Sequence, residues 1–209
     1  LALGTSLSPL HAQDNNEKSG TRFGLRAGLN LSTAAMNKEL KQGADPKMKA
    51  GYHVGVVADI PIAGLVYAEP GILLSSRGVK VEGEGSEVTA NALWIDVPLN
   101  LACRIPLTEG LQLQPLLGLN LSFGLDNKVE SSDGTPEEGL INPYGQNNFD
   151  VGLNIGVGLL FRQFYAGIQY QHGFLNTCNP DPRQIGEFQT GDDPVARSRN
   201  LQFSVGYNF

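Results

Sequence analysis

Charged residues, cysteines and long apolar runs are all scarce in this chain of 209 residues. Only 17% of the residues are charged, whereas soluble domains average about 25%. No window holds the roughly 18 uninterrupted apolar residues that a membrane-spanning helix needs, which excludes a helical membrane protein. The net charge is -6 and there is no basic stripe. Nucleic acid is therefore excluded as a partner, because phosphate contacts need clustered Lys and Arg.

The two cysteines, Cys103 and Cys178, lie in neither a CxxC motif nor a histidine-rich setting. The sequence thus supports no metal site and no redox motif, and we expect neither a metal nor a cofactor. The topology predicted below places the two cysteines at opposite ends of the molecule, so we expect two free thiols. No cysteine stands directly after the first apolar segment, which argues against a lipoprotein anchor.

The first segment, residues 1–13, reads LALGTSLSPLHAQ and is apolar up to a small residue at Ala12. It has the character of the end of a secretory signal peptide, with cleavage expected after Ala12 or Gln13. A disordered apolar tail is the alternative. Residues 14–20 are polar and non-periodic, and we expect a flexible lead-in there. The folded domain is accordingly expected to span residues 21–209.

Glycine is abundant, with 26 residues, and much of it alternates with large apolar residues. The alternation is clearest in four segments: 21–32, 111–123, 149–161 and 201–209. A period of two residues indicates β-strands. Four further segments alternate less regularly: 51–60, 65–77, 93–104 and 164–177. The sequence therefore predicts eight strands.

The connections between these strands alternate in length. Residues 61–64, 105–110 and 162–163 are short enough for tight turns, whereas 33–49, 78–91, 125–148 and 175–199 are long enough for loops. Tight turns at one end and long loops at the other are typical of an up-and-down antiparallel barrel. In outer-membrane barrels the tight turns face the periplasm, so we expect both termini to be periplasmic.

The polar faces of the strands distinguish a membrane barrel from a soluble, lipocalin-like one. A solvated face would carry Lys, Glu and Thr, yet all seven lysines fall in predicted loops or at strand ends. Gly, Asn, Gln and Ser fill the polar face instead, and they suit the cramped interior of a closed barrel. We predict an all-β, eight-stranded antiparallel up-and-down transmembrane β-barrel whose apolar face contacts outer-membrane lipid. A soluble barrel is the alternative.

Five segments carry a resemblance to a known family: FGLRAGLNLS at 23–32, YAEPGILLSSRG at 67–78, WIDVPLNL at 94–101, AGIQYQHGFLN at 166–176 and LQFSVGYNF at 201–209. Together they resemble the outer-membrane β-barrels of Bacteroidetes, the PorT-like or porin-family barrels. The resemblance covers roughly residues 22–209 and implies an outer-membrane barrel. The chain departs from the family pattern at Glu69, which precedes Pro70 instead of following it, and at Gln169, where Arg is usual.

The alternation assigns four arginines and four carboxylates to the barrel interior: Arg26, Arg77, Arg104, Arg162, Asp59, Glu69, Asp96 and Asp150. Unpaired charges are costly in a narrow lumen, so we expect these groups to pair. We predict that Arg26, Glu69 and Asp96 form a mid-barrel ion-pair cluster that plugs the lumen. A packed polar core is favoured; an ion-conducting or proton-relay path is the alternative.

An enzyme that modifies lipid A is a rival class, because some eight-stranded outer-membrane barrels have this activity. Such chemistry needs a nucleophile beside a base at the lipid-facing rim. His172 is predicted near the outer end of the seventh strand, but no serine and acidic residue stand at a recognisable spacing from it. We expect no catalytic residue.

The loop at 125–148 contains five carboxylates against one lysine, a net charge of -4. Clustered carboxylates are the ligands that Ca²⁺ takes, but the spacing matches no Ca²⁺ motif, so a solvated acidic loop is favoured. Acidic outer loops are also candidate docking sites for a protein partner in the envelope or a surface glycan.

The last strand alternates up to an aromatic carboxyl terminus, with Phe203, Tyr207 and Phe209 on one face. Barrel-assembly machinery binds such a strand by adding it to an open sheet edge. The simpler interpretation is the closing strand of the barrel, and both are compatible. We expect a structural or interaction role in the cell envelope, through the outer loops or the wall, with a narrow channel for small solutes as the alternative.

Overall fold

The computed structural model describes residues 20–36, 45–83, 86–131, 148–175 and 196–209. Nine β-strands lie in these ranges: β1 (Arg22–Met36), β2 (Asp45–Ala63), β3 (Val66–Gly83), β4 (Ser86–Cys103), β5 (Ile105–Thr108), β6 (Leu111–Ser131), β7 (Phe149–Phe161), β8 (Phe164–Gly173) and β9 (Ala196–Asn208). In this described part of the chain no helix is long and apolar enough to cross a membrane.

The strands form one antiparallel sheet that closes on itself. Apart from β4 and β5, each strand pairs with its neighbour in the chain, and β9 returns to pair with β1. β4 and the short β5 both pair along β6, with Ala102 opposite Leu116 and Ile105 opposite Leu113. They therefore make a single barrel strand, and the predicted eight-stranded antiparallel barrel is confirmed. Closure leaves no sheet edge in the wall. An open edge would expose unpaired backbone groups, which a bilayer does not tolerate.

Three two-residue turns define one end of the barrel, which we call the turn end. They lie at 64–65, 109–110 and 162–163. Gly64 and Gly110 have φ angles of 53° and 78°, in the left-handed region that glycine adopts without strain. The start of the first strand and the end of the last strand also meet here, because the Phe209 N–H donates to the Phe23 carbonyl at 2.9 Å. The tight turns are thus where the alternation predicts them.

At the opposite end, the loop end, the strands run farther than predicted. β3 and β4 stay paired out to Gly83 and Ser86, so most of 78–91 is a hairpin and the prediction of a long loop there is wrong. β6 likewise continues to Ser131, which pairs with Val88. Backbone pairing needs no alternation of apolar residues. Where a strand has no apolar face, the two-residue alternation that predicts a strand is therefore absent from the sequence.

The large apolar side chains point away from the barrel interior. Leu29 and Val205 are 62% exposed, whereas Asn30 and Asn154 are fully buried. A soluble barrel would bury the opposite face. Seven apolar residues are nevertheless buried in the described part of the lumen, among them Leu116, Leu160 and Tyr165.

Two aromatic contacts, which we call the two aromatic bands, lie on the outer wall, one near each end of the barrel. Near the turn end Phe164 packs edge-on against Tyr207, with 5.4 Å between ring centroids. Near the loop end Phe123 packs against Phe149 at 5.2 Å. β7 joins the two bands with 13 residues, hence 12 steps. At about 3.3 Å per residue and a tilt of about 40°, the bands are roughly 30 Å apart, which matches the hydrocarbon thickness of a bilayer.

Several predictions lie outside the described residues: the signal segment at 1–13, the lead-in at 14–19, the acidic segment at 132–147 and Cys178. Cys103, at the end of β4, is a free and half-buried thiol near the turn end.

Candidate functional site

The lumen is the part of this molecule where chemistry-bearing side chains converge. In the described residues twenty polar or charged side chains are buried against seven apolar ones, the reverse of an ordinary protein core. Buried polar groups need hydrogen-bond partners. The hydrogen-bond partners in the lumen form two ion-pair layers. Amide and hydroxyl contacts occupy the space between these layers and toward the loop end.

The first layer is a closed ring of six side chains near the tight turns. Arg104 forms an ion pair with Asp59. Asn208, on β9, donates to the same carboxylate with an Nδ2–Oδ2 distance of 3.0 Å. Arg26 Nη1 in turn donates to the Asn208 side-chain oxygen at 2.6 Å. One half of the ring therefore connects β2 to β1 through β9.

The other half of this ring is centred on Glu69. Its Oε2 lies 3.5 Å from Arg26 Nη2 and accepts a hydrogen bond from Gln114 Nε2 at 3.0 Å. Arg104 Nε donates to Gln114 Oε1 at 3.1 Å, which closes the circuit. We call these six residues the turn-end ring: Arg26, Asp59, Glu69, Arg104, Gln114 and Asn208.

Aromatic rings complete this layer. The Arg26 guanidinium carbon lies 4.1 Å from the Tyr165 ring centroid, and that of Arg104 lies 4.3 Å from the Tyr67 centroid. Both geometries are favourable cation–π contacts. Tyr165 has room because Gly158 and Gly167 flank it, where an added Cβ would collide with the phenol ring. β7 and β8 thus contribute space and stacking where the other strands contribute charge.

The second layer surrounds Asp96 on β4. Arg77 forms an ion pair with it. Asp96 Oδ1 also accepts hydrogen bonds from Ser122 Oγ at 2.7 Å and from Asn120 Nδ2 at 3.1 Å. The Arg77 guanidinium carbon lies 5.8 Å from the Trp94 ring. We call Arg77, Asp96, Asn120 and Ser122 the Asp96 cluster.

A buried histidine lies between the strands that close the barrel. The Asn30 amide nitrogen donates to the Tyr52 and Ser76 carbonyls, which leaves its oxygen as an acceptor. His53 Nδ1 lies 2.8 Å from that oxygen, so Nδ1 carries the proton. His53 Nε2, 2.9 Å from Ser204 Oγ, then accepts from the hydroxyl. The spacing of 151 residues between His53 and Ser204 hid this contact from sequence reasoning.

With a closed barrel and a polar lumen established, the comparison with known families is decisive. The model of the outer membrane protein beta-barrel domain matches residues 11–179. The chain belongs to this family. It is therefore an outer-membrane β-barrel. No curated protein matches it in sequence.

Three of the solved structures that this chain matches illustrate the likeness. Ail, the attachment invasion locus protein of Yersinia pestis, is 15% identical; 90% of this chain and 99% of Ail are covered, with a TM-score of 0.45. OprG from Pseudomonas aeruginosa is 14% identical over 91% of this chain and 97% of its own, with a TM-score of 0.48. Neisserial surface protein A is also 14% identical; 91% of this chain and 99% of that protein are covered, with a TM-score of 0.46.

The interior of this outer-membrane barrel corrects one predicted cluster. Arg26 and Glu69 do pair, but Asp96 has no ion pair with Arg26 and belongs with Arg77. The register explains the difference. On β3 Glu69 lies opposite Asn100, whereas Asp96 lies opposite Leu73, four residues farther toward the loop end. Four residues correspond to roughly 13 Å along a strand, so the two carboxylates lie in different layers.

Arg162 does not lie in the lumen, so its predicted inward position is wrong. It occupies a tight turn with φ 55°, is exposed, and lies with its guanidinium carbon 5.5 Å from the Phe161 ring. β7 ends at Phe161, and the turn redirects the next side chain outward. Three arginines therefore face four carboxylates in the described lumen. The fourth carboxylate, Asp150, instead accepts a hydrogen bond from the Leu175 backbone N–H at 3.1 Å.

The remaining predicted residues lie on the outer wall. Phe203, Tyr207 and Phe209 all point away from the lumen, and the Tyr207 hydroxyl lies 2.7 Å from Gln163 Oε1. His172 packs between Tyr170 and Phe174, with ring centroids 6.2 and 5.4 Å away. Among the described residues no group of three or more His, Cys, Asp or Glu side chains is arranged to hold a metal ion.

Proposed function

We propose that this protein is a small integral outer-membrane barrel with a lumen closed by its own side chains. Its role in the cell envelope is structural or interactive and is exerted through the outer loops or the wall. The turn-end ring carries this proposal, because its six members come from around the barrel and connect across the lumen. Between the ring and the Asp96 cluster lies a cavity of only about 30 Å³. Such a volume holds about one or two water molecules.

Single-channel recording in planar bilayers tests the proposal. The wild-type barrel should give no resolved conductance steps, since the proposed side-chain plug leaves no aqueous path past the ring. The double substitution Arg104→Ser with Asp59→Ser removes both members of one ion pair, leaves no uncompensated charge and should admit ions. Resolved steps from the wild-type protein would instead establish the alternative, a narrow channel for small solutes.

The wall of the barrel is the proposed contact surface for outer-membrane lipid. The exposed leucines and valines between the two aromatic bands support this, because aromatic girdles mark the membrane interfaces of barrels. The acidic loop and the other loop-end segments are the proposed contacts for an envelope partner. Crosslinking in native membranes that recovers no specific partner would count against the interaction role.

We further propose that the protein is not an enzyme. The pair Ser204 and His53, with Asn30 behind it, has the connectivity of a nucleophile, a base and an orienting group. It lies inside the lumen, however, and Ser204 borders the cavity of about 30 Å³. No lipid substrate fits in that volume, so the contact serves to satisfy buried polar groups.

The finer assignments are also proposals. The five sequence segments described above support a PorT-like barrel of Bacteroidetes, and the apolar start supports a signal segment at 1–13. The position of both described termini beside the tight turns supports a periplasmic location for them. The alternating outward face of β9 supports its recognition by barrel-assembly machinery.

A further inference from the structure

The outer wall carries positive charge at the loop end of β9. On this strand Asn200 is buried in the lumen and Ser198 borders a lumen cavity. Side chains alternate along a strand, so the intervening Arg197 and Arg199 point outward. Arg197 is exposed and Arg199 is half-buried on the wall. Two arginines thus lie at successive outward positions of the strand that closes the barrel.

The register places a third basic group beside them. Arg199 lies opposite His172 on β8 and opposite Thr33 on β1. Residues directly opposite each other on antiparallel strands have Cβ atoms about 5 Å apart. Arg197 lies opposite Ala35, so the outward positions of β1 at this level carry small side chains that leave room for a bound group. We call His172, Arg197 and Arg199 the basic patch.

Carboxylates do not offset this charge. β1, β8 and β9 contain no Asp or Glu, although the chain as a whole has a net charge of -6. In the described part of the chain neither Arg197 nor Arg199 forms an ion pair. Arg199 Nη1 donates to the Gly173 and Ser198 carbonyls at 3.0 and 2.8 Å, which positions the guanidinium without neutralising it. A guanidinium has five N–H donors, so donors remain for a ligand.

The basic patch lies at the height of a membrane interface. Tyr207 on β9 belongs to the aromatic band near the turn end. The strand takes 10 steps from Tyr207 to Arg197. At about 3.3 Å per residue and a tilt of about 40°, this is roughly 25 Å along the barrel axis, and the outward apolar band of membrane barrels is about 25 Å tall. Arg197 therefore reaches the headgroup region, and Arg199, about 5 Å deeper, can extend its charged end toward it.

The wall next to the patch, on the side of the turn end, is apolar. Leu201 is the outward residue that follows Arg199 on β9. It lies opposite Tyr170 on β8 and Leu31 on β1. A molecule bound at the patch therefore meets cations with one end and an apolar surface with the other, which is the arrangement that an anionic lipid requires.

We propose that the basic patch binds the anionic phosphate headgroup of a membrane lipid in the leaflet at the loop end. Arginine suits this ligand because its planar fork donates two parallel hydrogen bonds to a phosphate. A phosphate monoester carries up to about two negative charges, which match the two arginines. The inference rests on the proposed role of the wall as the lipid contact surface and adds the chemistry of the headgroup.

Native mass spectrometry of the refolded protein in detergent tests the headgroup. Dioleoyl phosphatidic acid and dioleoyl phosphatidylcholine have the same chains, so a difference between them reports the headgroup. The first phosphatidic acid should bind at a concentration at least about tenfold lower than the first phosphatidylcholine. Equal binding of the two lipids would refute the phosphate site and leave the lipid-contacting wall intact, whereas binding of neither would refute both proposals.

Inorganic phosphate distinguishes a lipid headgroup from a free anion. Added in excess over the lipid, it should leave the phosphatidic acid bound, because it makes no contact with the apolar wall. Displacement of the lipid by inorganic phosphate would identify a site for free phosphate and would overturn the lipid assignment.

Two double substitutions control for total charge. Arg197→Gln with Arg199→Gln removes the arginines of the patch and should abolish the preference for phosphatidic acid. Arg22→Gln with Arg162→Gln removes two exposed arginines near the turn end and should leave that preference unchanged within about twofold. If the first double variant fails to fold, Arg197→Gln alone changes an exposed side chain and should lower the preference about threefold. Equal losses in both double variants would show a response to net charge and would refute the site.

Discussion

At the scale of single residues, Arg104 makes contacts whose loss should destabilise the barrel strongly. It pairs with Asp59, donates to Gln114 and stacks on Tyr67, all within a few ångströms of a tight turn. Removing one partner of a buried ion pair leaves the other charge uncompensated, which is far more costly than losing a surface contact. Stability should therefore depend on residues whose polarity, taken alone, suggests exposure.

The substitution Arg104→Met tests this directly. We expect it to lower the free energy of unfolding by about 3–5 kcal/mol, because Asp59 stays buried without its arginine. Arg162→Met removes the same charge from an exposed turn and should change stability by about 0.5 kcal/mol or less. Urea unfolding in lipid vesicles, followed by Trp94 emission, measures both. Equal losses in the two variants would contradict the turn-end ring.

A second residue-scale prediction concerns the contact between His53 and Ser204. A fluorophosphonate probe, which labels activated serines, should leave Ser204 unlabelled in the folded barrel because the lumen cannot admit it. A barrel refolded with Ser204→Ala is the matched control for background labelling. Labelling of the wild-type protein that disappears in both Ser204→Ala and His53→Ala would show a catalytic serine and would refute the non-enzymatic proposal.

At the scale of elements, β9 has one structural role and one proposed role. It pairs with β1 on one side and β8 on the other, so it closes the barrel. In its proposed second role, its outward aromatic residues at alternating positions are recognised by assembly machinery while the strand is still extended. Closure needs the backbone of the strand, whereas recognition before folding needs its terminal side chains.

Deleting Phe209 separates these roles. We expect less protein in the outer membrane, because the terminal aromatic side chain of the proposed assembly signal is lost. β9 ends at Asn208 and keeps its pairing with β1 and β8, apart from the Phe209 N–H bond to the Phe23 carbonyl. Fractionation of cells expressing each variant at equal level gives the measurement. Phe161→Ala, which removes an exposed aromatic residue of the same barrel end, should insert normally. Normal insertion after deletion of Phe209 would remove the targeting role and leave the fold unaffected.

At the scale of the whole molecule, the two ends of the barrel differ in architecture. The turn end has three two-residue turns and the turn-end ring. The loop end is formed by the extensions of four long strands, which have 18 to 21 residues in total: β2, β3, β4 and β6. Strands of that length exceed the 9 to 11 residues or so that a bilayer requires. Part of the sheet must therefore project beyond the membrane, and we propose that the projecting side is the one that contacts an envelope partner.

Cysteine labelling in intact cells determines which side this is. In a background with Cys103→Ser and Cys178→Ser, a membrane-impermeant maleimide should label Asn148→Cys, at the loop end, and not Glu109→Cys, in a tight turn. Both positions are exposed, so accessibility in detergent is the internal control. Labelling of Glu109→Cys alone in intact cells would reverse the proposed orientation and place the termini outside.

The alternating residues alone were enough to predict the strands of the wall and the direction of their side chains. In β7 the alternation of Leu153, Asn154 and Ile155 is a local property of a pleated strand, and one buried polar side chain between two outward apolar ones needs no other information. The tight turns were equally local. Where strands extend beyond the apolar alternation, as in the β3–β4 hairpin, the local signal ends although the backbone pairing continues.

Which inward groups meet depends on how the strands are staggered in the closed barrel. Asp96 pairs with Arg77 and not with Arg26 because the register of β3 against β4 sets its level in the lumen. Ser204 reaches His53 because β9 closes on β1, and Arg162 leaves the lumen because a turn begins there. Alternation repeats every two residues and tells inside from outside, but height along the barrel depends on strand stagger, which is a relation between distant segments.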